Sequence, residues 1–249
     1  MSSFSIKIGN FLYQNAFPIY NKLYPIFKQR NDKYDIQIIK QYVKQDAIIL
    51  DIGANIGFYT KMLSELTGAN GKVYSFEPDS TNFKHLQENC GHLQNVQLFH
   101  KAVGNKDEVL TLYKSDLMNV DHKTFANEDF TSKETIDAVC LDNFIKEKHI
   151  DFVKIDIQGF EYYAFEGMQS LIKNSNDLKI ITEFYPYGIA QCGIALDNWY
   201  QQLEDLDLFI YKNINGKLSI FDKKELSLYE TKAKERLFYF DLFLTKQQL

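Results

Sequence analysis

From Ala47 onward the chain alternates short apolar runs, "AIILDIG", "KVYSFEP", "VQLFHKAVG", "DFVKIDIQG" and "LKIITEF", with stretches of helical period. Strands recurring in this way, each followed by a helix long enough to bring the chain back to a parallel neighbour, predict a parallel sheet with crossover helices. The first crossover carries Phe58, Met62, Leu63 and Leu66 on one face and stops at Gly68. The second starts from Asp79 or Ser80, carries Phe83, Leu86 and Cys90, and stops at Gly91. Towards the end, "LDLFIYKNINGKLSIF" reads as strand, Asn-Gly turn and strand, and "RLFYFDLFLT" as a last, antiparallel strand.

Two segments depart from this rhythm. Residues 1–46 are rich in aromatics, and Leu12, Ala16, Ile19, Leu23 and Phe27 fall near helical spacing around Pro18 and Pro25, which predicts two or three short helices. Their polar face is not strongly basic, so the apolar face is expected to pack on the rest of the chain rather than on a membrane or partner. Between Gly104 and Asp151 two β-prone pieces flank the polar stretch Asp116 to Thr135, which is expected to form a loop or hairpin covering one end of the sheet. The organisation is thus an N-terminal helical extension, 1–46, and one principal domain, 47–249.

Charge and cysteine usage narrow the function classes. A formal net charge of −5 gives no general attraction to nucleic acid, and no run of about 18 apolar residues predicts a transmembrane segment. Cys90, Cys140 and Cys192 are odd in number and lack disulfide or zinc spacing, so a reduced, cytoplasmic protein is expected.

The chemistry should lie outside the carboxyl ends of the strands, where parallel sheets bind ligands. Four acids fall there: Asp51, Glu77, Asp156 and Glu183. In "IILDIGANIGFYT" the order Asp51, Gly53, Asn55, Gly57 differs from the GxGxxG of a pyrophosphate turn, because Asn55 stands where a bare glycine would let a phosphate approach. A ligand without phosphate suits it better. S-adenosylmethionine offers an ammonium and a carboxylate for Asp51 and the turn backbone, and ribose hydroxyls for Glu77.

The segments "DIGANIGFYT", "VYSFEPDSTNFKHLQEN", "KAVGN", "CLDNFI" and "DFVKIDIQGFEYYAFEGM", in this order and spacing, resemble the FkbM family of class I S-adenosylmethionine-dependent methyltransferases. The resemblance covers roughly residues 48–172. It implies a Rossmann-like, doubly wound α/β fold with a mostly parallel seven-stranded sheet and an antiparallel last strand. It also implies that Asp51, Gly53, Asn55 and Gly57 hold the methionyl part, that Glu77 holds the ribose, that Ala102 of "KAVGN" belongs to the cofactor site, and that Asp156 stands near the transferred methyl. The family typically reads Asp-Val-Glu-Gly-x-Glu where this chain has "DIQGFE", so Gln158 replaces a frequent glutamate. The implied activity is O-methylation of a small molecule or sugar.

A hydroxyl acceptor must lose its proton. Asp156, Glu161, Glu183, His100 and His122 are the candidate bases, and Lys154, on the same side of its strand as Asp156, would hold that carboxylate ionised and oriented. A magnesium ion between Asp156 and Glu183 is an alternative way to acidify the hydroxyl. The aromatic groups "EFYPYG" and "EYYAFEG" are candidates for the acceptor wall. Two other classes stay open on sequence alone: a nicotinamide-dependent oxidoreductase, and a non-catalytic S-adenosylmethionine-binding protein.

Overall fold

The computed structural model describes residues 3–115 and 130–249. In chain order its strands are β1 (Ile48–Ile52), β2 (Lys72–Phe76), β3 (Val96–Phe99), β4 (Ala102–Gly104), β5 (Glu108–Ser115), β6 (Phe130–Cys140), β7 (Phe152–Ile155), β8 (Lys179–Phe184), β9 (Phe209–Ile214), β10 (Lys217–Ile220) and β11 (Phe240–Thr245). The main sheet runs β10-β9-β11-β8-β7-β1-β2-β3. Strands β3, β2, β1, β7 and β8 are parallel neighbours, whereas β11 enters antiparallel between β8 and β9. The expected parallel sheet with an antiparallel last strand is therefore present, with eight strands rather than seven because the Asn215-Gly216 hairpin adds β10 at the edge. The run "VQLFHKAVG" is divided: Val96–Phe99 pairs with β2, while Ala102–Gly104 turns away to join β6 and β5 in a separate three-stranded sheet. The expected cover at Asp116 to Thr135 falls mostly outside the described residues, and from Phe130 onward it is strand β6.

Five helices build the half of the molecule that matters for the site: α1 (Ser3–Asn15), α2 (Phe17–Asn31), α3 (Lys33–Tyr42), α4 (Phe58–Thr67) and α5 (Ser80–Cys90). The crossover helices end and begin where the sequence indicates. Gly68 caps α4, and the Asp79 side chain accepts from the backbone N–H groups of Thr81 and Asn82 at the start of α5. Each sheet face carries its own core. On one face Leu50, Ile52, Phe76, Val153, Ile155, Phe184 and Trp199 are buried together. On the other, Ile49, Val73, Phe152, Ile181 and Phe243 meet Leu63 of α4 and Ile36, Ile38 and Ile39 of α3.

The three N-terminal helices form as expected, with Pro18 accommodated in the first turn of α2, but the face that α1 and α2 turn to the domain is not the aliphatic one. Tyr13 sets its edge against His85 of α5, Phe17 stacks on the same imidazole, and Tyr24 meets Phe58 of α4 edge-on. Tyr13 Oη also donates to Asn82 Oδ1 at 2.5 Å. Ile19, Leu23 and Phe27 are exposed instead. Aromatic rings with a polar tip hold this interface because the surface they meet, α5, is polar enough to offer an amide and an imidazole as partners.

Candidate active site

The carboxyl ends of the parallel strands open into a cleft of about 350 Å³, a size suited to a small organic ligand. At its floor the chain leaves β1 through a tight turn. Gly53 (φ +84°) passes so close to β7 that a Cβ there would stand 2.0 Å from the Asp156 carbonyl oxygen. At Gly57 (φ +96°) a Cβ would stand 2.6 Å from Cys90 Sγ. Asn55, between them, adopts φ +51° and accepts from the Ile56 N–H through its own Oδ1 at 2.7 Å.

The backbone donors of this turn are already used. Gly53 and Ala54 donate to the Phe76 carbonyl, Asn55 to Glu77 Oε2, Ile56 to Asn55 and Gly57 to the Ala54 carbonyl. In this structure the turn directs these N–H groups to itself and to β2 and Glu77. Side chains alternate along β1, so Asp51 points, with Ile49, to the α4 face and lies wholly buried under the turn, where its Oδ2 accepts from the Thr60 hydroxyl at 2.6 Å. Neither Asp51 nor Gly57 lines the cleft, whereas Gly53, Ala54, Asn55, Glu77 and Ala102 do.

Glu77 follows the end of β2 and faces the turn. Its two oxygens accept from the Asn55 N–H at 2.8 Å and the Asp79 N–H at 2.9 Å. Burial pushes its carboxyl up to about 8, against the lowering effect of those backbone donors. Ala102, Val103 and Leu112 of the small sheet supply an apolar wall to the same cleft.

On the opposite side β7, β8 and β11 bring together Lys154, Asp156, Glu183 and Asp241, all of which line the cleft. Lys154 Nζ lies 3.6 Å from Asp156 Oδ2 and 4.6 Å from the centre of the Tyr59 ring. Burial works to raise the Asp156 carboxyl, but the ammonium groups of Lys154 and Lys28 and the Gln158 amide outweigh it and hold it below the usual carboxylate range. Its side chain stays 38% exposed to the cleft. Glu183 behaves oppositely: burial, then the negative charge of Asp156, Glu161 and Asp241, pushes it well above its ordinary value. Gln158 Nε2 donates to Asp156 Oδ1 at 3.1 Å and to Glu183 Oε2 at 3.4 Å. An amide at this position links two carboxyls that a glutamate would repel.

Other expected residues lie elsewhere. Glu161 is fully buried behind the turn after β7, with Oε1 accepting from the Ile157 N–H at 3.1 Å and burial pushing it up to about 7; it does not line the cleft. His100 stacks on Phe83 and pairs with the Pro78 carbonyl, away from the cleft, and His122 lies outside the described residues. Of the aromatic residues in the two groups, Tyr185 lines the cleft, where Phe160, just before the second group, joins it, while Phe165 and Phe184 belong to the core. Magnesium fits the Asp156–Glu183 pair poorly, because the Gln158 amide donors already bridge it and, among the described residues, no three His, Cys, Asp or Glu side chains group as a cation site.

Several cleft residues carried no signal at strand ends. Tyr24, Phe27 and Lys28 of α2, and Asp35 of α3, close one side of the cleft, and Arg236, Leu237 and Tyr239 close another. Lys28 is ion-paired with Asp32 and lies 5.2 Å from the Tyr59 ring centre. Asp35 hydrogen-bonds to Asp241 and accepts from Asn213 Nδ2 at 2.6 Å. The one readable hint was Asp241, a single acid in the otherwise apolar run "FYFDLFLT".

A parallel sheet ordered β3-β2-β1-β7-β8, with an antiparallel strand inserted beyond it and an acid at the tip of the second strand, is the architecture of a class I methyltransferase. The sequence profile of the Methyltransferase FkbM domain matches residues 51–211, more than half of the chain, and the protein belongs to that family. Two curated relatives agree. Hexuronic acid methyltransferase AglP of Haloferax volcanii is 24% identical over 152 residues, 59% of this chain and 60% of that protein. The 2-O-methyltransferase NoeI of Sinorhizobium fredii is 30% identical over 149 residues, 53% of this chain and 61% of that protein. The match thus spans about three fifths of the length of each relative. A solved SAM-dependent O-methyltransferase of Thermotoga maritima gives a TM-score of 0.48 at 13% identity, over 88% of this chain and 66% of that one.

Proposed function

We propose that this protein transfers the methyl group of S-adenosylmethionine to a hydroxyl of a sugar or other small polyhydroxylated molecule. The observation that carries the reading is a single cleft with a buried carboxyl and an apolar wall on one side and two carboxyls of opposed acidity on the other. Glu77 keeps lone pairs to accept from ribose hydroxyls, and Ala102, Val103 and Leu112 suit a flat base. When bound, the cofactor supplies an already activated methyl group. The chain supplies placement and a proton acceptor. Asp156, kept ionised by Lys154 and Lys28, accepts a hydrogen bond from the acceptor and aligns it; alignment of this kind is worth up to about 7 to 11 kcal/mol. Glu183, whose burial and acidic neighbours favour its protonated form, takes the hydroxyl proton only from its ionised fraction, so transfer is expected to quicken as pH rises. The sugar preference draws on the relatives, one named for a hexuronic acid and one for a 2-O position.

Calorimetry with S-adenosylhomocysteine followed by methyl-release assays over a panel of glycosides tests this. Binding together with turnover is expected, and NADH binding with none of S-adenosylhomocysteine would sink the reading. Binding without turnover on any hydroxylated acceptor would favour a non-catalytic binding protein. Asp156→Asn is expected to lower kcat by about 100-fold or more while cofactor Kd stays within about threefold. Equal losses in both would reduce Asp156 to a cofactor ligand.

A further inference from the structure

In a chain with a formal net charge of −5, residues 1–31 contain Lys7, Lys22, Lys28 and Arg30 and no Asp or Glu. That segment also carries an uncovered apolar face. Because α1 and α2 meet the domain through Tyr13, Phe17 and Tyr24, their aliphatic side is turned away from it. Ile19, Leu23 and Ile26 of α2 are 54%, 49% and 66% exposed, and Ile8 and Phe11 of α1 are exposed as well. At 3.6 residues per turn Lys22 and Arg30 fall within the same arc of α2 as Ile19, Leu23 and Ile26, and both are exposed.

Charge decides what such a face fits. A second copy of the chain laid on it would set Lys22 and Arg30 against like charges. A surface that is apolar inside and anionic at its boundary satisfies both halves, since aliphatic side chains enter the acyl region while long cationic side chains reach back to phosphates. We propose that α1 and α2 are the surface through which this protein docks on an anionic phospholipid membrane. The contact is interfacial, for no helix among the described residues is long and apolar enough to cross a bilayer.

Docking has a geometric consequence for the cleft. Phe27, at the edge of the exposed face, and Tyr24 and Lys28 of the same helix line it, so the bilayer lies beside the cleft wall that α2 builds. Joined to the methyl-transfer reading, on which this consequence rests, that position favours an acceptor hydroxyl borne on a lipid.

Co-sedimentation of the full chain with vesicles tests the surface. Wild-type protein is expected to sediment with equimolar phosphatidylglycerol and phosphatidylcholine, to be released by high salt, and to stay in solution with phosphatidylcholine alone. Lys22→Glu, Arg30→Glu, Leu23→Glu and Ile26→Glu, none of them at a cleft residue, are each expected to weaken partitioning by about tenfold or more. Unchanged melting temperature and S-adenosylhomocysteine affinity in the variants show that the loss is not unfolding. Sedimentation with neither vesicle, or equally with both, overturns the proposal, as does a wild-type dimer in light scattering that Leu23→Glu dissolves. Absence of S-adenosylhomocysteine binding in wild-type protein would overturn the methyl-transfer reading instead, and the vesicles would still decide the docking surface.

Discussion

Glu77 sits where two demands on one carboxyl conflict: burial favours the neutral form, while the N–H groups of Asn55 and Asp79 favour the anion. Burial wins, and the carboxyl is pushed up to about 8. The folded protein therefore holds a proton here that the unfolded chain has already released, so this residue's contribution to stability falls as pH rises from the ordinary carboxyl value towards about 8. On the proposed reading ribose hydroxyls would donate to the anion, so ligand binding would run the other way. S-adenosylhomocysteine affinity measured by calorimetry should rise with pH from about 6 to 8, approaching tenfold per unit as proton release is coupled to binding. Glu77→Gln should bind weakly and lose the pH dependence; a pH-independent wild-type affinity would show that Glu77 does not meet the ligand. Asp156 and Glu183 differ in the same physical terms. The cations near Asp156 outweigh its burial and keep it charged, whereas burial first, and then the acids around it, favour the neutral form of Glu183.

Among elements, the turn between β1 and α4 is the least tolerant of change. Gly53 combines φ +84° with a Cβ position 2.0 Å from the backbone oxygen of Asp156, and backbone cannot move aside as a side chain can. Gly53→Ala should cost on the order of 2 to 4 kcal/mol in denaturant unfolding, whereas Gly193→Ala, at φ +78° with nothing within 4 Å, should cost only about 1 kcal/mol, the conformational part alone. Equal costs at the two sites would refute the close approach of the turn to β7. Elements of this kind were legible beforehand. Strands β1, β2, β7 and β8 are covered on both sides and read as mostly apolar runs, and the Asp79 cap announces α5. The break at His100 and Lys101 was not, because whether Ala102 pairs with β2 or with Ala138 of β6 is decided by residues far away in sequence. The direction of a strand-end side chain was equally hidden. Asp51 and Asp156 look alike in sequence, yet one is trapped beneath a helix and the other is open to the cleft. Lys28 and Asp35 lay beyond any strand-end rule, since they reach the cleft from helices that precede the sheet.

At the scale of the whole molecule, the boundary expected at residue 46 cuts through a shared core. Ile36, Ile38 and Ile39 of α3 are buried against Ile49, Leu63, Phe152 and Phe243, Tyr59 Oη donates to Asp32 at 2.6 Å, and Asn213 donates to Asp35. The helix α3 is thus a layer of the main domain. Helices α1 and α2 differ: α2 buries no residue fully and joins the domain mainly through ring contacts and hydrogen bonds such as Asn21 Nδ2 to Asn89 Oδ1 at 2.7 Å. Losing three buried isoleucines from one face of the sheet would remove roughly 5 to 8 kcal/mol, as much as the whole stability of a typical domain. A chain starting at residue 47 should therefore show no cooperative thermal transition, while one starting at residue 32 should melt cooperatively, a few degrees below the full protein. The shorter deletion also removes Lys28, one of the two ammonium groups that keep Asp156 ionised. If the proposed methyl transfer holds, what remains of it should accordingly need a higher pH than in the full chain. A cooperative melt at the full-length temperature for the chain starting at 47 would show instead that the sheet holds together without α3.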